Sequence, residues 1–268
     1  MTGGSATARY CIIGDPVAHS LSPPMQSAAF FAAGIDALYE AVRVPAGGGG
    51  DAVAALRAER FAGFNVTTPL KEEVCPHLQR LTDAARAVGA VNTVKQDGGD
   101  LIGHNTDGEG CVRALDELWH PNFESAGVLL LGAGPAARAI SAALVSRGAR
   151  VECWSRRTEL AARLGGPPRT RASLVISALP SDAAVPAHVL ELIDRRSDIF
   201  DVNYGCTRSP VPAGIGARRS DGVPMLLQQG ALAFEWWTGI AAPLRAMRSA
   251  LEDAKGRAQG ARTENSSR

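Results

Sequence analysis

The sequence predicts an α/β protein in two domains, on three observations. Short β-branched runs alternate with Ala-rich stretches of helical character, the pattern of βαβ units with parallel strands. The aliphatic run Val128–Leu131 turns through glycines directly into a helix-forming stretch, and the rhythm of the chain changes there. The chain has 268 residues, and roughly 100–200 residues per domain leaves room for one large core or two modest ones.

Taken in order, Tyr10–Gly14 reads as a strand and Ser22–Ala33 as a helix with Pro23 and Pro24 in its first turn, where proline is tolerated. Ser22, just before Pro23, is a candidate N-cap. Tyr39–Val44 is a second strand, and Val53–Glu59 a helix after a flexible loop at Gly47–Gly50. Phe64–Thr67 is a third strand, and Pro76–Val88 holds a helix. Beyond Asp107, the strand Val128–Leu131, the helix Ala136–Arg147 and the strand Val151–Trp154 complete a βαβ unit. Further strands are expected at Leu174–Ser177 and Asp198–Val202, and helices between Met225 and Lys255. Residues 1–8 and 256–268 read as loose, solvated ends. The domains are expected at 1–107 and at 108–230, and the last helices, from Met225 to Lys255, could pack on either half.

Composition excludes several function classes. With 28 basic and 27 acidic residues the net charge is +1, unlike the basic excess of nucleic-acid or membrane-surface proteins. Apolar runs fall far short of the ~20 residues that span a bilayer, and MTGGSATARY lacks the features of a signal peptide. Five scattered cysteines without a CxxC pair argue against a disulfide framework or a metal site, so a cytoplasmic setting is expected. The Gly-x-Ser-x-Gly, His-Glu-x-x-His and Tyr-x-x-x-Lys patterns are missing from the sequence.

Gly132, Gly134 and Ala137 form G-x-G-x-x-A between a strand and a helix, the arrangement that brings a pyrophosphate to the backbone and a helix N-terminus. Pro135 suits the first helical turn but offers no N–H. The second strand of such a unit ends on an acid for a ribose 2′-hydroxyl, or on cations for a 2′-phosphate. Here it ends Trp154-Ser155-Arg156-Arg157-Thr158, and Glu152 lies two residues too early. Guanidinium groups match phosphate oxygens bidentately, so NADP is the expected cofactor.

Four polar clusters precede residue 108: Gly14–Pro23, Gly63–Lys71, Gly89–Thr93 and Gly103–Asp107. Each follows or ends an apolar segment, and ligands bind at the carboxyl ends of strands in open α/β sheets. Lysine occurs only at 71, 95 and 255. A chain that otherwise uses arginine gains from Lys71 what arginine cannot supply, an amine that gives and takes protons. Lys71 with Asp107 is the candidate base for an alcohol oxidation. His19 reads as a structural hydrogen-bonding residue, His104 as a surface one, and Trp236 and Trp237 as packing aromatics.

The ordered set GDPVAHSLSP, GFNVTTPLK, GAVNT, GHNTDGEG, GAGPAARA, DVNY and GVPMLLQQGALAFEWWTG resembles the shikimate dehydrogenase family through nearly all of residues 9–240. The resemblance implies an N-terminal α/β substrate domain and a Rossmann-like, parallel-sheet NADP domain, with the C-terminal helices packing back on the substrate domain so that residues 231–268 complete it. It implies reversible NADPH-dependent reduction of 3-dehydroshikimate to shikimate. By resemblance, Ser20 and Ser22 hold the substrate carboxylate with a contribution from Tyr204, and Thr67, Asn92, Asp107 and Gln229 meet the ring hydroxyls. Lys71 is the general acid/base. Gly132, Ala133, Gly134, Pro135 and Ala136 lie at the pyrophosphate and Ser155, Arg156 and Arg157 at the 2′-phosphate. Val202, Gly222 and Met225 line the nicotinamide, and Asp83 matches an acid near the cofactor.

The sequence departs from the family at Gln26-Ser27, where His-Asn is common, at Ser155-Arg156-Arg157 in place of Asn-Arg-Thr, and at Ala178-Leu179-Pro180 in place of Ala-Thr-Ser. Ser22, where a threonine accompanies quinate use, favours shikimate. The alternatives are a dehydrogenase of quinate or an aminated shikimate, and a non-catalytic NADP(H)- or metabolite-sensing module. A small-molecule substrate, a monomer or homodimer, and no nucleic-acid or membrane partner complete the expectation.

Overall fold

The computed structural model describes residues 7–206 and 208–266; residues 1–6 and 267–268 of the expected loose ends lie outside them. The chain divides into two compact units, one of residues 1–106 and 229–268, the other of residues 107–228.

The first unit opens with β1 (Ala8–Gly14), α1 (Ser22–Ala32), β2 (Ala37–Arg43), α2 (Gly49–Ala58) and β3 (Gly63–Val66). It continues through β4 (Arg80–Leu81), α3 (Asp83–Val88), β5 (Thr93–Asp97) and β6 (Asp100–His104). Its sheet has the order β2-β1-β3-β5-β6-β4. β1 is parallel to both β2 and β3, but β5 runs antiparallel to β3 and to β6. The expectation of parallel units throughout this half is therefore corrected. For β5 and β6 the cause is local: Gly98 and Gly99 adopt φ of +58° and +92°, which a two-residue hairpin turn requires for its twist to match that of the strands.

Three further expectations change. The helix expected within Pro76–Val88 is confined to Asp83–Val88, because Thr82 accepts the Ala85 N–H (3.3 Å) and caps α3 in the middle of that stretch. α2 starts at Gly49 rather than Val53. The Glu73 carboxylate accepts the N–H groups of Gly47 (3.0 Å) and Gly49 (2.6 Å), which turns the supposed flexible glycine loop into a held helix start. At α1 the N-cap is Leu21, without a side-chain cap, and Ser22 is already helical.

One core cluster of this unit joins Cys11, Ile13, Phe64, Val66, Val94 and Leu101 of the strands to Val53 and Leu56 of α2. Alternate side chains of a strand face opposite sides, so Tyr10, next to Cys11, stacks instead on Phe30 of α1, with ring centroids 4.7 Å apart.

The second unit runs α4 (Asp107–Trp119), β7 (Gly127–Leu131), α5 (Pro135–Ser146), β8 (Arg150–Trp154) and α6 (Thr158–Arg163), then β9 (Ala172–Ser177), α7 (Ala187–Leu190), β10 (Ile193–Asp201) and β11 (Arg219–Ser220). Its strands are all parallel, in the order β11-β10-β9-β7-β8. Such a sheet is buried on both faces. Val128 and Leu130 accordingly join one core with α4 and α5, while Leu129 and Leu131 join another with Val189 and Ile199.

α8 (Val223–Thr238) leads out of the second unit, and α9 (Leu244–Ser266) closes the chain. Residues 256–266, expected as a solvated tail, continue α9 as helix. Trp237 of α8 is buried, lies 5.0 Å from the Tyr10 ring and donates its Nε1–H to the Val94 carbonyl at 2.9 Å. A Cβ at residue 63 would come within 2.6 Å of that indole nitrogen, so the closeness of Trp237 explains the glycine that starts GFNVTT. Among the described residues no helix is long and apolar enough to cross a membrane. All five cysteines are free thiols.

Candidate active site

The four polar clusters of the first unit meet at one end of its sheet, tied by backbone hydrogen bonds. Asp15 N–H donates to Thr68 O (2.9 Å), and Thr67 N–H to Ile13 O (2.9 Å), joining the loops after the parallel strands β1 and β3. Val66 N–H donates to Asn92 O (2.8 Å), and Asn92 N–H to His104 O (3.1 Å), adding the third and fourth clusters. Val91 N–H donates to Lys71 O (2.7 Å) and fixes the lysine backbone beside the residue that precedes Asn92. Asp15 also pairs with Arg43 through two bonds (2.9 and 3.1 Å), which hold its carboxyl below the usual range.

Within this end, Asn92 is buried and central. Its Nδ2 donates to Thr106 Oγ1 (2.9 Å) and to Gln229 Oε1 (3.4 Å), and its Oδ1 accepts from Thr106 N–H (2.9 Å). The structure thus brings Asn92 and Gln229 together, 137 positions apart. Gln229 is half-buried in α8 rather than solvated on a helix face. Ser20 Oγ accepts the Ser22 N–H (3.2 Å), with Ser22 buried and Ser20 half-buried. Thr67 and Lys71 are half-buried in the turn after β3. Asp107 follows Thr106 directly and is the buried first residue of α4. Asp83 lies apart from this group in its bonding: it is exposed in the first turn of α3 and pairs with Arg86.

In the second unit, the strand order places β7 between β8 and β9, the point where an open parallel sheet reverses its winding and ligands bind beyond the strand ends. Gly132 follows β7 with φ +110°, and a Cβ there would meet the Ala178 carbonyl oxygen at 2.9 Å. A Cβ at Gly134 would meet nothing within 4 Å, so the backbone before α5 is open to approach. Gly134 is the N-cap of α5 without a side-chain cap, with Pro135 in the first turn. Ala133 is buried and Ala136 half-buried.

Beyond β8, Ser155 Oγ accepts the Arg157 N–H (3.1 Å), and both Arg156 and Arg157 are exposed. Glu152 is engaged elsewhere, accepting from Arg169 N–H, Thr170 N–H and Thr170 Oγ1 at 2.9 to 3.1 Å. Burial would raise its pKa, but those bonds outweigh it and hold the carboxyl low. This donor set fits a nucleotide with a 2′-phosphate: an open helix start and two exposed guanidiniums, with the acid of the strand, Glu152, bonded elsewhere. Met225 is buried in the core and Val202 packs on it, while the Gly222 N–H donates to Asn203 O (2.9 Å). Tyr204 is half-buried in the loop after β10.

His19, expected as a structural hydrogen-bonding residue, is exposed. His104 is half-buried rather than superficial: its Nδ1 lies 2.8 Å from Thr82 Oγ1 and its ring 5.0 Å from that of Trp236. Burial lowers its pKa. Sequence reasoning missed Tyr39, Asn65 and Thr93, which bond to one another around Asn92. The available signal was Asn65, a polar residue inside the otherwise apolar strand Phe64–Val66, because a buried amide implies partners.

Residues 12–94 match a family model described as the shikimate dehydrogenase substrate binding domain, and residues 222–252 one described as the shikimate 5′-dehydrogenase C-terminal domain. A shikimate dehydrogenase (NADP(+)) of Desulfitobacterium hafniense is 37% identical over 267 residues, covering 91% of this chain and 97% of the relative. A shikimate 5-dehydrogenase of Thermus thermophilus, solved in complex with NADP(H) and shikimate, is 36% identical with a TM-score of 0.82, covering 92% of this chain and 99% of the other. The shikimate dehydrogenase of Aquifex aeolicus is 33% identical with a TM-score of 0.84, covering 93% and 99%.

Proposed function

This chain belongs to the shikimate dehydrogenase family, and we propose that Lys71 is the general acid/base of its reaction, with Asp107 orienting the reacting hydroxyl or tuning the amine. It is an oxidoreductase of the shikimate pathway that uses NADP to interconvert 3-dehydroshikimate and shikimate. Most of the substrate residues belong to the first unit and most of the nucleotide residues to the second. Ser20, Ser22 and Tyr204 hold the carboxylate; Thr67, Asn92, Asp107 and Gln229 meet the ring hydroxyls. Gly132 to Ala136 take the pyrophosphate and Ser155 to Arg157 the 2′-phosphate. Val202, Gly222 and Met225 line the nicotinamide, with Asp83 an acid near the cofactor. The enzyme acts in the cytoplasm as a monomer or homodimer.

Bound NADP supplies the hydride acceptor, and NADPH the donor. The Lys71 Nζ takes the hydroxyl proton as the alcohol becomes a ketone, and gives it back in the reverse direction. The seryl and amide groups fix the ring so that this proton lies within reach, since proton transfer is efficient only over hydrogen-bond distance. The observation that carries the reading is the convergence of four polar loops, Lys71 among them, on the amide cluster of Asn92 and Gln229.

The test is Lys71→Ala assayed with shikimate and NADP. Loss of a general base lowers kcat by ~10²–10⁴, with a smaller change in the KM for shikimate. An unchanged kcat removes Lys71 from the mechanism.

A further inference from the structure

Asn92 has a buried hydrogen-bonded support on the side away from Gln229. Tyr39, on the edge strand β2, reaches across β1 and donates its hydroxyl proton to Asn65 Oδ1 on β3 at 2.6 Å. With that oxygen engaged, the Asn65 Nδ2 turns the other way and donates to Asn92 O (3.1 Å) and to Thr93 Oγ1 (3.0 Å). A hydroxyl has one proton to give. Thr93 accepts from Asn65 and donates that proton to Asn92 Oδ1 at 3.0 Å. Asn92 Oδ1 therefore receives both Thr93 and the Thr106 N–H, and the Asn92 Nδ2 faces Thr106 Oγ1 and Gln229 Oε1. Tyr39, Asn65, Asn92, Thr93 and Thr106 are all at least nine-tenths buried, so water does not substitute readily for a missing link. Trp237 lies over the start of the chain, 6.3 Å from the Tyr39 ring.

We infer that Tyr39 is a positioning residue for substrate recognition: through Asn65 and Thr93 it sets the polarity and placement of the Asn92 amide, so that the site meets a ring hydroxyl oxygen with an N–H donor. This rests on the reading that Asn92 touches the substrate. One Asn92 Nδ2 proton goes to Thr106 Oγ1 at 2.9 Å and the other makes only the long 3.4 Å bond to Gln229 Oε1, so it is this second N–H that a ring hydroxyl oxygen takes over, and a ring lacking that hydroxyl forgoes the better bond.

The experiment compares Tyr39→Phe, Thr93→Val and Asn92→Ala with the parent enzyme, all with NADP, using shikimate and analogues lacking one non-reacting ring hydroxyl each. Tyr39→Phe deletes the first donor of the chain, and Thr93→Val breaks it midway with little change of volume. Both raise the KM for shikimate about fivefold, the worth of one ordinary hydrogen bond, and leave the KM for NADP and the kcat within twofold. Both also narrow the preference for shikimate over at least one of the deoxy analogues, a change that general loosening does not produce. Should Tyr39→Phe not fold, Thr93→Val carries the same comparison. Equal losses for shikimate and NADP, or an unaltered shikimate KM with an unaltered analogue preference, overturn the inference. If Asn92→Ala is defective while the other two are normal, only the role of Tyr39 falls; if Asn92→Ala is itself normal, the underlying reading of the site falls with it.

Discussion

His104 shows what one residue contributes beyond its place in a motif. Burial lowers its pKa from an ordinary value near 6.5, so the folded protein resists a proton that the unfolded chain accepts. Stability is therefore full above about 6.5 and falls as the pH drops toward the lowered folded value, below which the loss is complete. Thermal melting between pH 7.5 and pH 5 should show a decline in the parent that His104→Asn reduces; an identical decline in both would remove His104 as its source. The sequence placed this histidine on the surface because it sits at a strand end, and nothing local reveals that Trp236, 132 positions later, covers it. Asn92 and Gln229 each sit in a motif with defined neighbours, and the structure joins the two side chains; Lys71 stands out in the sequence by its motif and by the rarity of lysine. Tyr39 and Thr93 were not legible: strand periodicity reports that they are buried, but not which partners their hydroxyls find.

At the scale of the element, what the sequence could show depended on whether the determining contact was local. β1, β3, β7 and α5 follow from their own residues, and the structure places them within a residue or two of expectation. α2 does not, because its first turn is held by Glu73, which lies well beyond its end. Glu73→Ala should cost about 0.5–2 kcal/mol, as for loss of an N-terminal cap, and Glu73→Gln, which keeps an acceptor but loses the charge that suits a helix N-terminus, should cost less. Chemical denaturation of the two variants checks the order; equal stability to the parent would show that the glycines hold the turn unaided. The β5–β6 hairpin was signalled by Asp97-Gly98-Gly99-Asp100, a two-residue turn sequence. It was obscured by the apparent βαβ rhythm on either side.

On the scale of the whole molecule, a mixed sheet and an all-parallel sheet coexist in one chain, and each carries its own expected ligand. Binding to the native state alone raises stability by ~2.7 kcal/mol at 100 times Kd. NADP should accordingly raise the melting temperature more than NAD at equal concentration, and replacement of Arg156 and Arg157 by alanine should abolish the difference. A parent protein shifted equally by both nucleotides would contradict the role given to those arginines. The two-unit division follows a change of sequence rhythm near residue 107, whereas the return of the chain to the first unit at Gln229 leaves no such mark, because α8 continues unbroken across it. The Lys95 ammonium, bound to the Trp236 carbonyl at 3.1 Å, has a practical counterpart in the rarity of its residue type. Reductive ¹³C-methylation would give dimethylamino resonances from Lys71, Lys95 and Lys255 beside that of any free N-terminus. A titration with shikimate could then be followed at the Lys71 nitrogen, with Lys95 as an internal standard for the integrity of the strand–helix contact.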